Sequence, residues 1–146
     1  RSAIGFAYTP GVSRARNRPM ALFGEWAAVA AGGALGALMR HGATMAAAQW
    51  LPRGFPWGTL IVNVLGSLLM GIAFVLLVER GLLAPAWRAF FTVGLLGAFT
   101  TFSAFSLDAL ALFGTGATAR AVLYMLASVI TCLAAALAGI MLTRNF

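Results

Sequence analysis

Residues 94–106 read GLLGAFTTFSAFS, with two glycines, two adjacent threonines, two serines and phenylalanines at 99, 102 and 105. The stretch lies in the middle of a long apolar segment. Glycine and threonine are poor helix formers. In hydrocarbon, a helix break is tolerable only where the freed backbone faces protein or an ion, never lipid. These residues therefore predict a membrane helix broken near its midplane, around Gly97, Thr100 and Thr101, with something to bind at the break.

The composition supports a bilayer setting. The 146 residues are 62% hydrophobic and 9% charged, with a mean hydropathy of +0.94, whereas soluble domains carry about a quarter charged residues. Four spans are predicted, at 22–49, 57–78, 87–113 and 118–143, each longer than the ~20 residues that cross ~30 Å of hydrocarbon. The connections LPRGFP, ERGLLAPA and GTGA are short and carry Pro52, Pro56 and Pro85. Short connections make neighbouring helices antiparallel, and an even number returns both ends to one side. The predicted fold is all-α: four transmembrane helices, the third broken. In GGALGALMR (32–40), Gly32 and Gly36 have small-xxx-small spacing, which suits close packing either within one subunit or between subunits. Gly66 and Gly71 are spaced differently and are a weaker signal.

All ten basic residues are arginines, and Arg1, Arg14, Arg16 and Arg18 precede Met20. Residues 1–19 are read as a basic tail, disordered or an upstream extension of a reading frame beginning at Met20. They contain no apolar run and so are no secretory signal. Residues 20–146 form the transmembrane domain. The high isoelectric point reflects mainly the tail, which argues against a nucleic-acid surface. Without the tail, Arg80, Arg88 and Arg144 on the face of the termini balance Arg40, Arg53 and Arg120 on the other. Orientation follows a Lys/Arg bias. A chain starting at Met20 is thus expected to insert both ways up, whereas seven arginines against three, with the tail, place the termini inside.

The reactive inventory is sparse. One cysteine, Cys132, excludes an internal disulfide and cysteine-cluster metals, and one histidine, His41, excludes a multi-histidine zinc site. Of the three acids, Glu25, Glu79 and Asp108, only Asp108 falls well inside a span. No carboxylate pair, Ser-His-Asp set or phosphate loop is present, so catalysis is not expected. Polar residues nevertheless align: Asn63 with Ser67 on the second helix, Tyr124 with Ser128 and Thr131 on the fourth, and Thr100, Thr101, Ser103 and Ser106 on the third. Taken singly, each hydroxyl can bond its own helix. Asn63 is more telling, because an amide needs partners. The break admits two ligand classes: backbone carbonyls for a hard cation such as Na⁺, or the positive ring edges of Phe102 and Phe105 for a small anion. Phenylalanines three apart also simply pack.

Together, GGALGALMR, PWGTLIVNVLGS and GAFTTFSAFS resemble the Fluc (CrcB) family of fluoride channels, in that order, over about residues 23–144. The resemblance implies a four-helix subunit in an antiparallel, dual-topology homodimer with two pores and a central structural Na⁺. Such a protein passively exports toxic fluoride across the plasma (bacterial inner) membrane. It further implies that Asn63 is the pore amide, that Phe102 and Phe105 are the pore rings, and that Gly97 and Thr100 lend carbonyls to Na⁺. Ser103, Tyr124 and Ser128 would continue the polar track, and Arg40 matches the family's first-helix arginine. Ala104 stands where threonine is common, Asp108 where glutamate is, and Cys132 where a small hydroxyl is expected. Two rivals remain: a small dual-topology multidrug transporter, which needs a buried glutamate where the first helix has only Glu25 at its start, and a membrane scaffold subunit without transport.

Overall fold

Backbone groups in hydrocarbon must be satisfied within their own segment, so the apolar segments are expected to close on themselves as helices. The computed structural model describes residues 18–146, and among them there are helices and no strand. Helix α1 (Arg18–Trp50) is followed by α2 (Trp57–Ala73), which widens into a π-helical stretch, Phe74–Glu79. Helix α3 (Pro85–Ala89) likewise opens into a π-helical stretch, Phe90–Leu96, and ends in α4 (Gly97–Phe99). Helices α5 (Phe102–Gly114) and α6 (Thr118–Arg144) complete the chain. They make four segments long and apolar enough to cross a membrane: Leu22–Trp50, Trp57–Glu79, Pro85–Gly114 and Thr118–Arg144. The expected spans agree to within a few residues. The expected basic tail lies, up to residue 17, outside the described residues, and α1 begins two residues before the expected boundary at Met20.

Close backbone approach decides the packing. The first span lies along the first half of the third, and the second span along the fourth. A Cβ at Gly36 would run into the Leu95 carbonyl, and one at Gly32 would strike that of Phe90. The Gly32/Gly36 spacing therefore serves packing within the subunit. Gly71 and Gly139 do the same for the second and fourth spans, abutting the Ala136 and Leu68 carbonyls. The pair Gly66 and Gly71, weak as a sequence signal, is thus fully used, since Gly66 faces the Thr100 methyl and the Phe99 ring. The buried core is small: Val62, Val75, Leu77, Leu96, Phe99, Ala109, Ala121 and Tyr124. Large apolar side chains such as Trp26, Leu38, Val93, Leu107, Leu110 and Ile130 point outward, as suits a surface against acyl chains or a second subunit.

The third span breaks as expected, but not at Gly97. Gly97 is helical (φ −63°, ψ −38°), and the extended residues are Thr100 (φ −82°, ψ 157°) and Thr101 (φ −153°, ψ 116°). β-Branched threonine favours extended backbone. Thr101 then caps the next helix, its Oγ1 accepting the Ala104 N–H at 3.2 Å. Gly97 has room: a Cβ there would meet only the Thr92 oxygen, at 3.4 Å. Beyond the break the chain changes partner, and α5 packs on α6.

These contacts separate two glycines of the same segment pair. Gly36→Ala should destabilise the subunit by about 1–3 kcal/mol, the usual cost of overpacking. Gly97→Ala should leave the subunit's thermal unfolding in detergent, followed by circular dichroism, at or above the parent's. Equal stability of the two variants would contradict the packing.

Candidate functional site

A break in mid-membrane leaves orphan N–H and C=O groups, and the neighbouring spans supply their partners. Asn63 of α2 clamps the Thr101 peptide groups from both sides. Thr101 N–H donates to Oδ1 at 2.7 Å, and Nδ2 donates to the Thr101 carbonyl at 3.0 Å. Because the backbone N–H can only donate, the amide has one possible orientation. This leaves Asn63 one N–H for the cavity it lines. Arg40, from the first span, donates through Nε to the Ala98 carbonyl at 3.0 Å. Its charge therefore belongs to the break and not to the far face, which changes the arginine balance to three against two. Thr100 Oγ1 returns to its own helix at Leu96 O, 3.0 Å away.

The carbonyls of Gly97 and Thr100 lie beside the break. Among the described residues, no turn, loop or side-chain hydrogen bond ends on either oxygen. Neutral carbonyl oxygens with open lone pairs are the donors a hard cation such as Na⁺ takes, so the residues present fit that ion. No cluster of His, Cys, Asp or Glu able to hold a metal occurs among the described residues.

Beside the break lies a cavity of about 400 Å³, whose lining includes Asn63, Ser67, Phe102, Phe105, Ser128 and Cys132. Phe102 is 77% exposed, and its ring lies 5.3 Å from that of Phe105. Phe105 in turn sits 5.4 Å from the fully buried Tyr124, and Tyr124 meets Phe55 edge-on at 5.5 Å. Four aromatic rings thus run from the break toward the connection between the first two spans. Ser128, 5% exposed, has a buried Oγ without a hydrogen-bond partner among the described residues. Ser103 Oγ is 3.2 Å from Thr101 Oγ1, beside the cap. Not every polar residue joins the site. Thr131 bonds back to Ala127 O at 2.6 Å and Ser106 to Phe102 O at 2.9 Å, as the single-hydroxyl reading has it.

A second cavity, about 490 Å³, has Thr44, Arg53, Phe55, Trp57, Thr59 and Asp108 in its lining. Asp108 Oδ2 accepts the Thr59 hydroxyl at 2.6 Å and the Tyr124 hydroxyl at 3.3 Å. Thr59 and Asp108 line this second cavity, and Tyr124 links them to Phe105 in the lining of the first. Sequence reasoning missed Thr59, although a signal existed: Thr59, Asn63 and Ser67 recur every four residues, on one helical face. The first cavity therefore offers neutral donors and ring edges and has no carboxylate in its lining. Such a surface can shed the water of a small anion without repelling it.

The profile of the CrcB-like protein family (Camphor Resistance, CrcB) matches residues 27–140. The chain is 48% identical over 122 residues to a fluoride-specific ion channel FluC of Saccharophagus degradans, covering 82% of this chain and 90% of that protein. It is 48% identical over 116 residues to a fluoride-specific ion channel FluC of Magnetococcus marinus (80% and 94%). To one of Aeromonas salmonicida it is 47% identical over 120 residues (82% and 96%). With its four spans, the chain is a multi-pass membrane protein. It belongs to the CrcB family.

Asn63→Leu keeps the bulk but orphans both Thr101 groups. At roughly 1–3 kcal/mol for each unsatisfied group, the loss should be a few kcal/mol, read as a lower unfolding midpoint in detergent. A parent-like midpoint would show that the clamp carries no stability.

Proposed function

We propose that this protein is a fluoride-selective channel that passively lets fluoride out of the cell and so limits its toxicity. The observation that carries the reading is the uncharged, donor-bearing groove at the break, held by the same Asn63 that stabilises the break. Fluoride is small and strongly hydrated, so a path for it must replace water with close donors. The remaining Asn63 N–H, the Ser128 hydroxyl and the edges of Phe102 and Phe105 line such a path. Ser103 stands at its cap end, and Tyr124 extends the aromatic run to the Asp108 cluster. Arg40, 3.0 Å from the Ala98 oxygen, sets a positive charge close to the break, which favours an anion in a medium of low dielectric. The groove lining has no carboxyl group to couple flux to protons, which suits a passive channel. The multidrug reading lacks its buried glutamate, since neither Glu25 nor Glu79 is buried, and the scaffold reading gives the donor-lined groove no role.

The assembly belongs to the same proposal: an antiparallel homodimer in the plasma (inner) membrane, inserted in both orientations. The near-balanced arginines and the apolar outer face support it. Gly97 and Thr100 would hold a structural Na⁺ through their backbone carbonyls. Bound there, the ion would supply fixed positive charge to two broken helices.

Two measurements test the reading. Phe102→Ile and Phe105→Ile keep apolar bulk but lose the ring edge. If each edge contributes about 1.4 kcal/mol to anion passage, fluoride efflux from liposomes, read with a fluoride electrode, should fall about tenfold while the protein stays folded. Parent-like flux would make the rings packing residues, and no flux from the well-folded parent would remove the channel reading. For topology, a C-terminal tag on the chain beginning at Met20 should report from both membrane faces in comparable amounts; one-sided insertion would exclude the antiparallel homodimer.

A further inference from the structure

Resting on the anion path proposed above, we infer that the second cavity is the collecting mouth of that path, where Arg53 and Arg120 concentrate small anions without selecting among them. Arg53 and its neighbour Gly54 both line the 490 Å³ cavity. Gly54 stands at φ +95°, a conformation that glycine adopts without strain, and Pro52 and Pro56 stiffen the turn around it. Arg120, in the first turn of α6, lies over the same turn, because a Cβ on Gly54 would sit 3.2 Å from its Nη1. Both arginines are exposed, and among the described residues neither side chain donates a hydrogen bond or joins an ion pair. Arg40, Arg80 and Arg144, by contrast, are each engaged, with the Ala98 carbonyl, the Thr143 carbonyl and Glu79.

The inner wall of this cavity leads to the groove. Phe55 and Asp108 belong to its lining, and both touch Tyr124, at 5.5 Å between rings and 3.3 Å between oxygens. Tyr124 in turn lies 5.4 Å from Phe105, which lines the groove. Asp108 is the one acid in the lining, and its Oδ2 already accepts two hydroxyls. Two unengaged guanidinium groups against one such carboxylate leave the mouth positive. A field of this kind acts over a Debye length, about 10 Å at 0.1 M salt, and needs no fitted ligand geometry. One unit charge about 8 Å away in water raises the local concentration of a monovalent anion roughly twofold. The arginines therefore speed entry, and selection is left to the groove.

Two measurements test the mouth. The first is efflux of submillimolar fluoride from liposomes, for the parent and the double variant Arg53→Gln, Arg120→Gln, at low and high potassium gluconate. The variant should be about threefold slower at low ionic strength, and screening should close most of that gap at high. Equal rates at low ionic strength, or a gap that salt does not narrow, overturn the inference. The second needs no conduction, because Trp57 lies in the cavity lining and reports on it. Trp26, Trp50 and Trp87 are replaced by phenylalanine, and Trp57 fluorescence is quenched in non-ionic detergent by iodide or by neutral acrylamide. Removing both arginine charges should cut iodide quenching about threefold relative to acrylamide at low ionic strength; an equal ratio overturns the inference. A parent that conducts no fluoride overturns the channel reading instead, and the quenching ratio then decides the mouth. If the three phenylalanine replacements prevent folding, the efflux pair decides it.

Discussion

An unpaired peptide group in hydrocarbon costs several kcal/mol, and the bidentate grip of Asn63 on Thr101 removes that cost twice over. The third span can stop being a helix at Thr100 and Thr101 because an amide 38 residues earlier in sequence takes both Thr101 groups. Arg40 adds a partner for Ala98, and the Thr101 hydroxyl caps the helix that follows. With those groups satisfied, Phe102 begins a fresh helix with its ring displaced toward the cavity. The same residue, Asn63, therefore holds the break and lines the cavity beside it.

The break also explains the packing. A continuous third helix would lie along one neighbour over its whole length. Here its first half sits against the first span through Gly32, Gly36 and Gly94, while α5 turns to α6. Glycines bring the backbones into contact because lipid offers no hydrophobic drive to bring helices together, leaving dispersion and hydrogen bonds at short range. Gly66 admits the Thr100 side chain at the crossing, so the clamp and the close packing meet at one point.

Charges are confined to the ends and the break. On the face of the termini, Arg144 pairs with Glu79, its Nε donating to Oε2 at 3.1 Å, and Arg80 reaches the Thr143 carbonyl at 2.7 Å. These exposed contacts fasten the second span to the fourth and are worth little individually. Asp108 is the exception, an acid within a span, and two hydroxyls hold its carboxylate. It lines the second cavity and not the groove beside the break.

Much was legible from the sequence because it depends on local composition. Span number, span limits and the short connections follow from hydropathy and proline, since a helix needs only its own residues to satisfy its backbone. The broken third helix was equally readable in GLLGAFTTFSAFS, where breaker residues interrupt an apolar run. Its position was readable only to the stretch 97–101. Gly97 has the lower helix propensity, yet it stays helical, because the break falls where Asn63 can reach the freed groups and threonine can cap the next turn. The roles of Arg40 and Thr59, and the split of Asn63 between structure and groove, likewise depend on groups brought close only by folding. Local propensity says that a helix can be broken; only tertiary contact decides where, because each freed peptide group needs a partner from another span.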